Sequence, residues 1–384
     1  MKRALFYGFV ISCALSACVP AAREVAPLTP PNAAPVRTGA PDIAPILEAA
    51  RVKYGLPSIA GVAVRGGSVV GVTAIGERAL GSGVAVTLDD AYHLGSMSKS
   101  FTATVLGKLV EQGKIRWDTP LSETFPDVPM LPELKAVTLE MLLTHRAGFS
   151  ANVEDRSIYA GITKDGSGDW NAVRGRYLLS ALTTKPAYTP GQVVAYSNIG
   201  YVIASLMAER AGGSSWEALV RRIVYEPLGM NSCTFGTAFK PLTNPHPHRW
   251  DGSIAVPLEP SVLNGNPPVL NGADNVRCSL PDLGKYLLAH LNGERGVDGI
   301  LKAATFKELH RARANGGQGI YMAFGWLVFT GGEIWHNGSN TLNYSEMALY
   351  PAQNIAVAVA TNAPLELNKG VQEAMEGIYQ ALSK

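Results

Sequence analysis

The chain has 384 residues, 47% of them hydrophobic and 17% charged, with a formal net charge of +2 at pH 7. That composition excludes a disordered or fibrous chain and supplies apolar material for one large core or two medium ones. Discounting Lys2 and Arg3, which fall in a segment expected to be removed, the 31 acidic residues meet an equal number of basic ones, and a balanced chain without a Lys/Arg run excludes nucleic acid as the expected partner.

Ala4 to Leu15 is an apolar stretch after two cations, too short to cross a bilayer as a permanent helix and patterned as a secretory h-region. It ends in Leu15-Ser16-Ala17-Cys18, which resembles the lipobox of bacterial lipoproteins. The resemblance implies a signal peptide over 1–17, lipid attachment at Cys18, and an exported protein anchored in the bacterial envelope facing the periplasm. Val19 stands where an aspartate would favour inner-membrane retention, so the outer membrane is the expected address. The alternative is an ordinary cleaved signal in which the cysteine is incidental. Residues 18–41 are rich in Ala and Pro without an apolar period and are expected to form a tether.

A folded region is expected over 42–384. Ile43, Ile46, Leu47 and Ala50 recur at helical spacing, stopped by Gly55 and Pro57. Ile59 to Arg65 and Val69 to Ile75 read as strands joined by a hairpin at Gly66-Gly67-Ser68. Gly95 to Gln112 reads as a helix with Met97, Phe101, Val105 and Leu109 on one stripe and Gly113 closing it. A largely helical insertion is expected at about 116–295, with runs at Leu139 to Leu143, Tyr177 to Leu182, Ile199 to Ala211, Trp216 to Ile223 and Leu283 to Leu291. Within it, Lys240 to Asn275 is expected to be an ordered excursion without a core of its own. Strands return at Phe324 to Phe329, Glu333 to Asn337, Ser345 to Tyr350 and Ile355 to Thr361, and Val371, Met375, Ile378, Tyr379 and Leu382 stripe a final helix. The predicted class is α/β (α+β): one antiparallel sheet built from both chain ends and flanked by helices, beside a mostly helical subdomain. In an oxidising compartment Cys233 and Cys278 are the available pair, either bridged or both buried as free thiols.

Three segments carry chemistry. Ser96-Met97-Ser98-Lys99 places a hydroxyl and an amine on one side of a helix, where burial and the helix N-terminus would depress the lysine pKa and let it serve as a base. Tyr196-Ser197-Asn198 lies on a loop entering a helix, where Tyr196 would face the Ser96 hydroxyl as a second proton-transfer group and Asn198 would bond Lys99 and a substrate amide. A loop-anchoring Tyr and an N-capping Asn are the plainer reading of that segment. His336-Asn337-Gly338 ends a strand, along whose edge a substrate can lie, and the Ser339 N–H could join that of Ser96 to hold an oxyanion.

The order and separation of these segments resemble the serine β-lactamase and penicillin-binding-protein superfamily, with its Ser-x-x-Lys, Tyr-x-Asn and Lys-Thr-Gly elements. The Tyr form, together with Leu94 to Thr102, Leu142-Leu143-Thr144-His145-Arg146-Ala147-Gly148, Pro190-Gly191 and His336 to Asn340, is similar to the class C β-lactamase, DD-peptidase and esterase branch. The resemblance implies a β-lactamase/transpeptidase-like fold and acylation of Ser96, with Lys99 and Tyr196 moving its proton. Asn198, His336, Asn337, Gly338 and Ser339 would bind substrate, and His145 would be structural. It implies a small ester, amide or cell-wall peptide as substrate and no cofactor. His336 replaces the lysine of dedicated β-lactamases and lowers the expectation of antibiotic hydrolysis. The expected function is a serine hydrolase of esterase or D-amino-acid peptidase/penicillin-binding type. A catalytically silent cell-wall or partner-binding protein and a class C-like β-lactamase are the alternatives. His246-x-His248 has no Cys or acidic partner at recognisable spacing, and no metal is assigned.

Overall fold

The computed structural model describes residues 42–163, 167–236, 242–259 and 265–384. The expected signal, Cys18 and tether lie outside the described residues, as do parts of the Lys240 to Asn275 excursion.

Helix α1 (Ala44–Tyr54) carries a proline in its first turn and ends on Gly55, whose φ of +64° suits a left-handed cap. Strands β1 (Ser58–Arg65) and β2 (Ser68–Gly76) form the expected hairpin. Strand β3 (Tyr92–His93) leads through one 3₁₀ turn, Gly95–Met97, into α2 (Ser98–Glu111). There follow α3 (Leu121–Thr124), α4 (Leu139–Leu143), α5 (Trp170–Thr183), α6 (Asn198–Gly212), α7 (Trp216–Val220), which opens into a π turn, and α8 (Glu226–Leu228). Strand β4 (Thr234–Phe235), the hairpin of β5 (His248–Trp250) with β6 (Ala255–Pro257), and β7 (Val276–Cys278) lead to α9 (Leu280–Glu294) and α10 (Ala303–His310). The chain ends with β8 (Ala314–Gly317), β9 (Ile320–Met322), β10 (Leu327–Phe329), β11 (Ile334–Ser339), β12 (Tyr344–Tyr350), β13 (Ile355–Thr361) and α11 (Lys369–Ser383).

Among the described residues the main sheet has eight strands in the order β2-β1-β13-β12-β11-β10-β9-β8, so strands from the two ends of the chain meet as its second and third members, with Ile59 opposite Thr361. Strands β12 and β13 are buried along their whole length. β13 reads as a continuous apolar run from Ile355 to Ala360 because both of its faces are covered, while β12 also buries Ser345 and Glu346. On one face Ile59, Ala63, Val357 and Val359 pack with Leu47 of α1 and Ile378 of α11; on the other, Ala60, Val62, Ala358 and Ala360 join the large core with Leu283 and Leu287 of α9. The small residues permit close approach: a Cβ on Gly284 of α9 would lie 2.7 Å from a Val62 methyl.

The structure corrects several local expectations. Helix α2 is buried as its apolar loading implies, but the burial extends beyond the apolar stripe to every side from Ser98 to Gly107. Its polar side chains tolerate this because Ser98, Ser100 and Thr104 bond carbonyls one turn back and Thr102 bonds the Gly272 carbonyl at 2.6 Å. The strand expected from Phe324 begins only at Leu327, because Gly325 turns the chain with φ +75° where its Cα abuts the backbone of Lys99 and Ser100. The Gly-rich hairpin β8-β9 and the small sheet β3-β7-β4 have no apolar alternation and are visible only in the fold.

Cys233 and Cys278 are joined in a disulfide spanning 45 positions. Loop-closure entropy assigns such a bridge about 4 kcal/mol. Reduction is therefore expected to lower the thermal midpoint by several degrees, and thiol titration of the unfolded chain should find these two sulfurs unreactive until reductant is added.

Candidate active site

Ser96 sits at the mouth of a turn held from three sides. Leu94 N–H donates to Val276 of β7, Val276 N–H donates to the Ser98 hydroxyl, and the Ser345 hydroxyl of β12 donates to the Leu94 carbonyl at 3.0 Å. Of residues 91–100, Ser96 alone escapes full burial. The turn touches β11 so closely that neither partner can carry a side chain. A Cβ on Gly338 would lie 2.0 Å from the Leu94 oxygen and 2.6 Å from the Ser96 nitrogen, and one on Gly95, whose φ is +53°, would lie 2.3 Å from the Ser339 nitrogen. The Ser339 amide is thus pressed against the turn that carries Ser96, the arrangement that two convergent N–H donors require. The Ser339 hydroxyl faces its own loop, donating to Asn343 O, so the backbone is what this residue offers.

Three side chains converge on the Ser96 oxygen. Lys99 Nζ lies 2.9 Å away, Tyr196 donates its phenol proton across 2.7 Å, and Asp274 Oδ2 accepts at 3.3 Å. Lys99 is fully buried and also meets two groups that can only accept, Asn198 Oδ1 at 2.7 Å and the Ala273 carbonyl at 2.8 Å. A neutral amine has two protons and one lone pair. In the neutral form, committing both protons to these acceptors leaves the lone pair facing Ser96 Oγ, where it can take the hydroxyl proton once that proton turns away from Asp274 Oδ2. Burial pushes the Lys99 pKa down to about 7, the nearby Asp274 charge opposing the shift only in part. Asn198 is kept from flipping because its Nδ2 donates to Asn152 Oδ1 at 3.0 Å. The N-cap of α6 is Ser197 rather than Asn198: its hydroxyl accepts from Gly200 N–H, which frees the Asn198 side chain for Lys99.

Burial raises the Tyr196 pKa, so the phenol keeps its proton and donates it to Ser96. His145 braces this loop. Its Nδ1 accepts from Ser197 N–H at 3.1 Å, its carbonyl accepts from Ala195 N–H, and its ring lies 4.6 Å from that of Tyr196. Burial and the neighbouring Lys99 and His336 hold the His145 imidazole neutral.

His336 faces the same cavity side of β11 as Gly338. Burial first and Lys99 second depress its pKa to about 3, and its Nδ1 proton goes to the Asn337 carbonyl at 2.5 Å, so it is a neutral ring with Nε2 as acceptor. Asn337 points the other way, its amide donating to Tyr344 OH at 3.1 Å, so its side chain is not brought to the cluster. His246 and His248 accept from the Leu242 and Leu80 amides and serve the loop around them. No group of three metal-ligating side chains occurs among the described residues, nor is any helix among them long and apolar enough to cross a membrane.

Asp274 is the site residue that sequence reasoning missed. It lies in Asn271-Gly272-Ala273-Asp274-Asn275, inside the stretch expected to be an excursion, at no motif spacing from Ser96. The available signal was weak: a lone carboxylate among Asn and Gly just before a short strand.

A serine hydroxyl flanked by a lysine of depressed pKa and a tyrosine, on the turn that opens α2 beside an antiparallel sheet, defines a serine hydrolase of the β-lactamase fold. Residues 43–378 match the family described as Beta-lactamase, and the chain belongs to that family. It is 26% identical over 309 residues to penicillin-binding protein 4 of Amycolatopsis lactamdurans, covering 73% of this chain and 74% of that one. It is 25% identical over 335 residues to the D-alanyl-D-alanine-carboxypeptidase/endopeptidase AmpH of Escherichia coli K12, covering 80% of each. Esterase EstB of Burkholderia gladioli is 29% identical over 262 residues, 62% of this chain and 61% of that protein. Among solved structures, a penicillin-binding protein from Bacillus halodurans superposes with a TM-score of 0.71 at 19% identity over 87% of this chain and 98% of that one, which speaks to fold alone.

Proposed function

We propose that the protein cleaves an ester or amide through an acyl-enzyme on Ser96, in the manner of an esterase or a D-amino-acid peptidase. The observation that carries this reading is the convergence of Lys99 and Tyr196 on one serine oxygen at 2.9 and 2.7 Å. Neutral Lys99 takes the Ser96 proton as Oγ attacks the carbonyl carbon, the Ser96 and Ser339 N–H groups receive the oxyanion, and Lys99 or Tyr196 returns a proton to the departing alcohol or amine. Asn198 and the β11 edge hold the substrate chain. Neutral His336 supplies no charge for a substrate carboxylate, which favours esters and internal amides over β-lactam hydrolysis. A fluorophosphonate probe should label the wild type and not Ser96→Ala; equal labelling of both would overturn the reading.

The pH dependence follows from Lys99. The base must be unprotonated, so acylation is expected to fall about tenfold per pH unit below about 7 and to level off above it. Stopped-flow release of p-nitrophenol from an ester between pH 5 and 9 measures it.

We further propose export with a lipid on Cys18. The lipobox-like string and the Cys233–Cys278 disulfide, which suits an oxidising compartment, support this reading. Metabolic labelling with an alkyne fatty acid, retained in Cys18→Ser, would sink it.

A further inference from the structure

The acyl-enzyme reading leaves open what activates the water that frees Ser96, and we propose that the Asp274 carboxylate is the catalytic base of deacylation. The inference rests on that reading and on the position of one atom. Asp274 Oδ2 lies 3.3 Å from Ser96 Oγ, and Asp274 is 2% exposed. Its other oxygen, Oδ1, accepts from Asn275 N–H at 2.9 Å. Oδ2 has the Ser96 hydroxyl as its one hydrogen-bond donor among the described residues.

Acylation removes that donor. When Oγ becomes an ester oxygen, a nearly fully buried carboxylate oxygen is left without a proton to accept, at a substantial free-energy cost. A water entering beside the ester restores the bond. The acyl carbon is one covalent bond from Oγ, so a water held by Oδ2 is also within reach of the carbon it must attack. Neither alternative base is as well placed: Tyr196 keeps its proton, and the Lys99 lone pair is turned towards Oγ itself by Asn198 and Ala273.

The step balances within this set of groups. The water oxygen bonds to the acyl carbon while one water proton passes to Asp274 Oδ2, and the oxyanion settles on the Ser96 and Ser339 N–H groups. As the carbon–Oγ bond breaks, Asp274 returns that proton across the short gap to Oγ. The product leaves as the free acid, the second water proton still on it, and Ser96 is regenerated.

The carboxylate is held for this task rather than free to swing. His93 accepts Gly95 N–H on Nδ1 at 3.1 Å, so its Nε2 carries the ring proton and donates to Asn275 Oδ1 at 3.1 Å. Asn275 in turn donates its amide to Asn266 O, Pro267 O and Asn271 Oδ1, each at 3.1 Å. The nucleophile turn and the Asp274 loop are thereby tied together by one neutral imidazole.

The test separates the two half-reactions with p-nitrophenyl butyrate. Asp274→Asn, which keeps an acceptor for Asn275 N–H, is expected to show a wild-type burst followed by steady turnover about 100-fold slower. Intact mass should then show a butyryl adduct that accumulates. Asp274→Ala should behave likewise and regain turnover with added formate, which also covers a failure of the Asn variant to fold. Turnover by Asp274→Asn within threefold of wild type, loss of the burst together with turnover in a folded variant, or a folded Asp274→Ala that formate does not rescue would each overturn the proposal. A wild type with neither burst nor adduct, turning over no faster than Ser96→Ala, would instead remove the acyl-enzyme reading beneath it.

Discussion

Lys99→Met is expected to slow acylation by about 10²–10⁴-fold, the range for loss of a positioned base, while leaving a folded protein. Methionine fills most of the volume of the lysine stem, and the site already excludes water around a side chain with no exposure. The substitution removes the lone pair that faces Ser96 Oγ and keeps the apolar packing. Its cost to the fold is the loss of hydrogen bonds at Asn198 Oδ1 and Ala273 O, about 1–3 kcal/mol for each group left unsatisfied. Lys99→Arg is expected to be no rescue, because guanidinium stays protonated at every working pH and offers no lone pair. The measurement is the burst rate of p-nitrophenol release beside the thermal midpoint. A variant that keeps its burst within tenfold would show that another group takes the Ser96 proton.

The second large effect is expected at a residue without a side chain. Gly338→Ala puts a methyl 2.0 Å from Leu94 O and 2.6 Å from Ser96 N, both backbone atoms that no rotamer change can move. Relief requires β11 to withdraw from the turn, carrying the Ser339 amide with it. Loss of one oxyanion donor costs about 10²–10³ in rate, and overpacking adds about 1–3 kcal/mol of destabilisation. Gly331→Ala, in the turn joining β10 to β11 with open space around its Cα, is the control and should leave both quantities unchanged. Equal activity of the two variants would remove the backbone contact from the account of catalysis.

Both expectations draw on features of unequal legibility. The Ser96 and Lys99 pairing is written in an i,i+3 spacing, and β13 in an uninterrupted apolar run from Ile355 to Ala360, so the sheet's interior and the nucleophile are readable before any fold is known. Tyr196 and Asn198 are readable only through their order relative to those two. What escapes is everything set by backbone and by loop path. The Ala273 carbonyl that orients Lys99 belongs to no side-chain pattern, and Asp274 reaches Ser96 because Thr102 straps the Gly272 carbonyl to α2. The all-round burial of α2 was hidden by its serines and threonines, which look solvent-facing until their bonds to preceding carbonyls are seen. The disulfide was one of two open readings, since two cysteines in a sequence carry no distance between them.

Strand β1 pairs with β13, and at its start Ser58 N–H donates to the Asn362 side chain, 304 residues on. During translation β1, paired with β2 on one side, must therefore wait for its second neighbour until β13 has left the ribosome. A product truncated by a premature stop before Ile355 would contain Ser96, Lys99, Tyr196 and Asp274 and still lack the strand that closes the layer beneath them. The arrival of β13, rather than the appearance of any reactive group, is what completes the sheet beside this site.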